Sequence, residues 1–101
     1  MRLKKIEETG LFKFIHVYYL DEDGLKQGKY RSYRPNGSKF LECNYKDDNL
    51  HGKYIEYRKN GMKMEEGLYK NGIILKKTIY NEKGQKVEER KYFYPDEDEK
   101  K

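Results

Sequence analysis

The sequence lacks a second cysteine, a long hydrophobic run and a convincing helical period, and each absence narrows the possible structures. Because Cys43 is the only cysteine, no internal disulfide can form, and a reducing, cytoplasmic location is expected. No segment approaches the roughly 20 apolar residues that span a bilayer. The apolar run at 11–20 is interrupted by Lys13 and His16 and leads into the acidic segment 21–24, so we expect no signal peptide.

At 101 residues, the chain has room for one small domain with a thin core. Charged residues make up 41% of the sequence and the formal net charge is +5, a composition that alone would be typical of disorder. Eleven tyrosines and four phenylalanines indicate an ordered chain instead, because disordered segments lack aromatic residues. Positive and negative residues are interleaved, so the basic excess does not predict a single nucleic-acid-binding patch.

An internal repeat decides the fold class. Residues 28–47, GKYRSYRPNGSKFLECNYKD, align with residues 52–71, GKYIEYRKNGMKMEEGLYKN, after a shift of 24 positions, and more than half of the aligned residues are identical. A degraded copy follows at 76–94, and a partial copy whose first half is missing precedes them at 11–27. Two clear copies between two imperfect ends are typical of a repeat array, whose terminal units have a neighbour on one side only.

The repeat predicts one domain over residues 1–94, with clear copies at 28–51 and 52–75, followed by a disordered charged tail at 95–101. Asn-Gly and similar pairs mark tight turns, and the segments between them are rich in the residues that strands favour. The sequence therefore predicts an all-β fold, a single-layer antiparallel meander of repeated hairpins with about six or seven strands. The predicted strands are 11–20, 28–34, 38–46, 52–58, 62–70, 73–80 and 85–94.

One feature does not fit a simple alternation of side chains. Phe40 and Met64 occupy equivalent positions, and Tyr45 and Tyr69 follow five residues later, so in a regular strand each pair would face opposite sides. Either both faces of the sheet carry aromatic residues, or a bulge between the two positions resets the alternation. Gly67, which lies in this interval, favours a bulge or a close aromatic approach.

Residues 50–72, LHGKYIEYRKNGMKMEEGLYKNG, resemble the MORN-variant repeat, which runs Gly-Lys-aromatic, Tyr, Asn-Gly, Lys, Glu and then a Tyr-Lys-Asp-Gly turn. The resemblance covers residues 28–94 and implies an elongated, twisted sheet of successive hairpins. Family members include bacterial antitoxin or immunity components of toxin modules, and the more distant eukaryotic MORN repeats have been linked to membrane lipids and protein scaffolding. The third copy departs from the pattern, with Lys76, Lys77 and Thr78 in place of Gly-Lys-Tyr.

The sequence offers no catalytic constellation. Cys43 is expected to be a buried strand residue and not a nucleophile activated by His16 or His51. His51 is expected in a turn on which the repeat places no chemical demand. The acidic segments 21–24 and 47–49 lack the ordered ligand spacing of a calcium loop and are expected to be solvated turns. We therefore predict no catalytic, cofactor or metal site, and no enzyme.

The remaining functional feature is surface. Tyrosine and arginine, which are enriched at binding hot spots, recur on neighbouring predicted strands, although the tyrosines also suit the core of a sheet with little Leu or Ile. We predict a protein-interaction module, most specifically an antitoxin or immunity protein that occludes a partner with an acidic or mixed surface. The candidate partner-binding residues are Tyr30, Arg31, Tyr33, Arg34, Tyr54, Glu56, Tyr57, Arg58 and Glu65.

Three other roles remain open from the sequence. Tyrosine rings and basic side chains suit single-stranded nucleic acid, which is read by stacking and phosphate contacts. Attachment to anionic lipid is the role that the distant eukaryotic repeats suggest. The two end strands of an open array would also expose unpaired backbone, to which a partner strand or another array could add.

Overall fold

The computed structural model describes residues 1–95, which form one open antiparallel sheet of eight strands. The strands lie side by side in chain order, and each is hydrogen-bonded to the next. A short 3-10 turn at Leu11–Lys13 connects the first two strands. The strands are β1 (Lys4–Thr9), β2 (Ile15–Leu20), β3 (Gly28–Tyr33), β4 (Lys39–Lys46), β5 (Asn49–Tyr57), β6 (Lys63–Lys70), β7 (Ile73–Tyr80) and β8 (Lys86–Lys91).

The predicted single-layer antiparallel meander of hairpins is confirmed, with one strand more than the predicted six or seven. The additional strand is β1, which occupies the place of the half-repeat that the sequence lacks upstream of β2. The segment 11–20, predicted as one strand, is divided between the 3-10 turn and β2. Apart from Pro95, the predicted tail at 95–101 lies outside the described residues.

Four of the hairpins close through the same kind of turn, which lies at residues 21–25, 34–38, 58–62 and 81–85. In the turn at 58–62, the N–H of Arg58 donates to the carbonyl of Met62 at 2.7 Å, and the N–H of Gly61 donates to the carbonyl of Arg58 at 2.9 Å. Gly61 has a φ of 87°, a left-handed conformation in which glycine is unstrained. The side chain of Asn60 accepts the N–H of Met62, which explains the Asn-Gly pair in this turn.

A bulge resets the side-chain alternation, but it lies at the first of the two positions and not, as the sequence had suggested, between them. The register between β3 and β4 shifts between Ser32 and Tyr33, so that Phe40 is an extra residue without a partner on β3. Met64 in β6 and Val87 in β8 are extra residues in the same way. The repeated apolar position is therefore the bulge itself.

Gly67 serves the close aromatic approach. A Cβ atom at this position would lie 2.8 Å from ring atom Cε1 of Tyr69 and 3.6 Å from Cβ of Tyr54. Cys43, the equivalent residue of the preceding copy, lies opposite Tyr54 and is 1% exposed. Small residues thus alternate with tyrosines along this row of the sheet, so that the rings cover them.

Pairing across the strands assigns the repeated side chains to two faces. What we call the tyrosine face carries the side chains of Tyr18, Tyr30, Cys43, Tyr45, Tyr54 and Tyr69. What we call the ladder face carries those of Lys39, Glu42, Tyr57, Lys63, Glu66, Tyr80, Lys86 and Glu89. Within residues 1–95, Val17 and Cys43 are the only buried hydrophobic side chains, so the core is thin, as the length predicts.

Candidate protein-binding surface

The rings of the tyrosine face pack on one another. Tyr30 stacks on Tyr18 with ring centroids 5.6 Å apart and meets the ring of Tyr45 edge-on at the same distance. Tyr54 and Tyr69 repeat the second contact at 5.9 Å. Burial raises the pKa of both Tyr45 and Tyr54 to about 12. These tyrosines therefore form the core of this face, and their rings are largely occupied by one another.

Tyrosines on the ladder face connect successive hairpins through their hydroxyl groups. Tyr57 donates to a carboxylate oxygen of Glu42 at 3.4 Å, and Lys39 forms an ion pair with the same carboxylate at 3.2 Å. In the next copy, Tyr80 donates to Glu66. Lys63 and Lys86 form the corresponding ion pairs with Glu66 and Glu89, at 3.4 and 3.2 Å. The predicted interface residue Tyr57 is thus part of this internal ladder.

The two predicted arginines beside the turns hold the backbone of the following hairpin. The guanidinium of Arg34 donates to the carbonyl oxygen of Lys39 in its own hairpin at 2.9 Å and to that of Tyr57 in the following hairpin at 2.6 Å. Arg58 donates to the carbonyl of Tyr80 at 2.9 Å. The equivalent residue of the third copy is Asn81, and β8 is the last strand that the structure describes. Arginine is therefore present in the two copies that have a following hairpin for it to contact.

Glu56 and Glu65 lie opposite each other on the tyrosine face, in β5 and β6. Burial, reinforced by the charge of Glu65, raises the pKa of Glu56. Lys77 lies 3.6 Å from Glu65 and compensates part of this repulsion. Like charges opposite each other destabilise a sheet. Among the predicted partner-binding residues, this pair is therefore the one at which a basic residue of a partner would reduce a repulsion within the sheet.

The nine predicted residues do not form one surface. Four lie on the tyrosine face, three on the ladder face, and two at the ends of hairpins. In that order they are Tyr30, Tyr54, Glu56 and Glu65; Arg31, Tyr33 and Tyr57; and Arg34 and Arg58.

The structure presents an apolar feature that the sequence did not reveal. Leu11 and Phe12 are each 79% exposed on the 3-10 turn between β1 and β2. Phe12 and Lys13 have left-handed φ angles of 57° and 63°, and the N–H of Gly10 donates to the carbonyl of Phe14 at 2.8 Å across the turn. The signal in the sequence was the pair of adjacent apolar residues after a glycine, which alternation cannot place on one face of a strand.

Comparison with protein-family models, curated proteins and solved structures finds no match. The likeness to the MORN-variant repeat therefore stands on the residues of this sequence.

An apolar groove adjoins the exposed pair Leu11 and Phe12. Its opposite wall is formed by β3 and β4, and the ring of Phe40 meets the ring of Phe14 edge-on with centroids 5.3 Å apart. The hydroxyl of Tyr30 is hydrogen-bonded to Nδ1 of His16 at 2.7 Å beneath it. Two exposed apolar side chains thus stand beside a concave aromatic surface, an arrangement that is typical of protein-binding sites.

The acidic segments predicted as solvated turns are connected through the side chain of Gln27. Nε2 of Gln27 donates to the carboxylates of Asp21 at 2.9 Å and Asp47 at 2.6 Å, and its Oε1 accepts the N–H of Asp47 at 3.1 Å. The carboxylate of Asp48 accepts the N–H of Lys26 at 2.6 Å. No group of three metal-ligating side chains occurs in residues 1–95. These carboxylates therefore join two turns of neighbouring hairpins.

The prediction that His51 is an unconstrained turn residue is wrong. It lies within β5, and its Nδ1 accepts the N–H of Asn71 at 3.1 Å, as Gln27 accepts the N–H of Asp47 in the preceding copy. Leu75 is the third equivalent and has no further turn beside it in the part of the chain that the structure describes. In both copies that have a further turn beside them, this position of the repeat therefore carries a side chain that accepts a backbone N–H of that turn.

The single cysteine is a core residue and not a reactive group. The Cys43 thiol is 1% exposed, and burial raises its pKa to about 11, so it is a protonated core group. Among residues 1–95, no helix is long and apolar enough to cross a membrane.

Proposed function

We propose that this chain is a non-catalytic protein-binding module that covers a functional surface of its partner, as the antitoxin and immunity proteins of the family it resembles do. The observation that carries the proposal is the exposure of Leu11 and Phe12. Two large apolar side chains in water, one of them in a left-handed conformation, reduce stability unless a partner covers them. A partner that buries them beside the groove would recover that free energy as affinity.

The partner is a protein with an acidic or mixed surface. The chain carries 23 basic against 18 acidic residues, and Lys13 directly follows the exposed pair. Complementary charge around an apolar contact increases the association rate and excludes wrong partners. We place the encounter in the cytoplasm, on the strength of the single buried cysteine.

Two observations favour a protein partner over nucleic acid. Binding of single strands by stacking requires free aromatic faces. On the tyrosine face, Tyr18 and Tyr45 are already covered by the ammonium group of Lys26, which lies 5.6 and 5.4 Å from their ring centroids. Tyr30 and Tyr54 are packed against neighbouring rings.

Affinity capture from the native cell tests the proposal. The wild-type chain and the variant Leu11→Ser/Phe12→Ser are used as baits, with nuclease treatment and mass spectrometry of the captured proteins. We expect one dominant protein to be retained by the wild type after nuclease treatment. We also expect its affinity for the variant to fall by about tenfold or more, since buried apolar anchors are typical hot spots.

A matched control is available at the other end of the sheet. Val87 and Phe93 are 59% and 85% exposed, so Val87→Ser/Phe93→Ser removes an apolar pair of similar size. This control is expected to capture the partner as the wild type does. Capture that disappears with nuclease treatment would replace the proposal by nucleic-acid binding, and capture that is equal in all three baits would refute the assigned surface.

A further inference from the structure

The first strand of the sheet carries four charged side chains that have no oppositely charged neighbour in the described part of the chain. Lys4, Lys5, Glu7 and Glu8 are all exposed, and none of them forms an ion pair within residues 1–95. Glu8 only accepts the hydroxyl of Tyr18 at 2.9 Å. By contrast, six ion pairs occur among the charges of β4, β6, β7 and β8. Lys29 and Arg31 of β3 and Lys53 and Glu56 of β5 also form no ion pair in this range, but β1 is an edge strand, so its four charges lie beside backbone that no neighbouring strand pairs.

These charges are arranged symmetrically about Ile6, the half-buried residue at the middle of β1. Two lysines precede Ile6 and two glutamates follow it. When two such strands pair antiparallel about Ile6, Lys4 faces Glu8 of the other copy and Lys5 faces Glu7, twice each. Opposite charges in directly paired positions stabilise antiparallel sheets. We propose that β1 is a self-complementary edge through which two copies of this chain join their sheets.

Geometry selects this register. A two-fold axis perpendicular to the sheet turns the tyrosine faces of both copies toward the same side. Residues directly opposite each other on the two β1 strands must therefore lie on the same face, either both on the tyrosine face or both on the ladder face. In each register of this kind, one residue at the centre lies opposite the identical residue of the second chain. Centring on Lys4, Lys5, Glu7 or Glu8 would place like charges opposite each other, whereas centring on Ile6 places isoleucine on isoleucine.

The other edge of the sheet does not offer the same solution. In β8, centring on Glu88, Glu89 or Arg90 places like charges opposite each other, and centring on Val87 falls on the bulge. Pairing of β1 with β8 of another copy, on the same face, gives at most two opposite pairs, against four when two β1 strands pair about Ile6. Charged residues at an edge usually prevent pairing, which is the role we assign to β8.

The proposal is independent of the protein-binding surface proposed above and is tested by charge exchange. The variant Lys4→Glu/Lys5→Glu makes the edge acidic, and Glu7→Lys/Glu8→Lys makes it basic. We expect the wild type to sediment at equilibrium as a dimer, twice its mass of 12.3 kDa, and to dissociate on dilution and at high salt. Each variant alone is expected to be a monomer, and equal amounts of the two are expected to form a mixed dimer.

Formation of a dimer when the two variants are mixed shows that neither variant is merely unfolded. Circular dichroism of each variant checks this separately. The control Arg90→Glu/Lys91→Glu changes the same number of charges on β8 and is expected to leave the dimer intact. A wild type that is monomeric at every concentration would overturn the proposal. So would a dimer that survives in both β1 variants, because the contact would then lie elsewhere.

Discussion

At the scale of single residues, the two faces of the sheet use tyrosine in different ways. On the tyrosine face, Tyr30 and Tyr54 contribute their rings and cover small residues. On the ladder face, Tyr57 and Tyr80 contribute their hydroxyl groups, which reach a carboxylate of the preceding hairpin. The sequence shows that these positions recur but not which part of the side chain is used, because that depends on the face toward which each strand residue points.

The ladder makes stability depend on pH through Glu66. The hydrogen bond from Tyr80, helped by Lys63, lowers the pKa of this carboxylate from its ordinary value of 4.5. A folded-state pKa below the unfolded value adds stability that is complete above pH 4.5 and is lost as the pH falls through the folded pKa. We expect Tyr80→Phe to reduce this acid-dependent loss, as measured by urea unfolding at a series of pH values from neutral to acid.

The matched control is Tyr33→Phe. Tyr33 is the equivalent residue of the first clear copy, and its hydroxyl has no hydrogen bond among the described residues. The control should reproduce the pH profile of the wild type. An unchanged profile in Tyr80→Phe would contradict the assignment of the ladder as a source of pH-dependent stability.

At the scale of elements, the hairpins were predictable because each carries its own signals. The turn pairs and the segments rich in strand-forming residues located β3 to β7 to within a few residues. β1 was missed because its single apolar residue, Ile6, gives no alternation. The turn at Leu11–Lys13 was read as strand because its apolar residues join those of β2, and only the left-handed angles of Phe12 separate them. Contacts with a turn 20 residues away, such as that of His51 with Asn71, have no local signal.

Gln27 offers a test of these contacts between turns. It is 8% exposed and forms three hydrogen bonds with the carboxylate-bearing turns beside it. Replacing it with leucine, the natural residue at the equivalent Leu75, leaves the N–H of Asp47 without its acceptor. We expect Gln27→Leu to lower the free energy of unfolding by about 1–3 kcal/mol, measured by urea denaturation.

Gln85→Leu is the control, because Gln85 is an exposed glutamine in another turn. It should change stability by about 0.5 kcal/mol or less. Equal effects at the two positions would show that the loss of any turn glutamine, and not the contact between turns, determines stability.

At the scale of the whole molecule, the sheet is built from nearest neighbours. Its dimensions are 51 × 42 × 21 Å, and the extensive contacts all join strands consecutive in the chain. This arrangement has two consequences. Stability should add up from hairpins and their interfaces, as in other repeat proteins, and no central core depends on the number of copies. The same feature leaves both edges open, so the charges of β1 and β8 determine which strands can pair there.

Removal of one complete repeat tests this additivity. Deleting residues 31–54 joins Tyr30 to Ile55 and restores the sequence GKYIEY, so every remaining strand keeps its alternation and Gln27 faces Asn71 in place of Asp47. We expect this shortened chain to unfold cooperatively in urea, with a smaller m-value than the full chain, because it buries less surface.

Deleting residues 31–53 instead leaves one extra tyrosine within the strand, which places the following side chains on the wrong face. That chain should be much less stable or aggregate, although it differs from the first by one residue. If both deletions folded equally well, the phase of the repeat would not be what holds the sheet together.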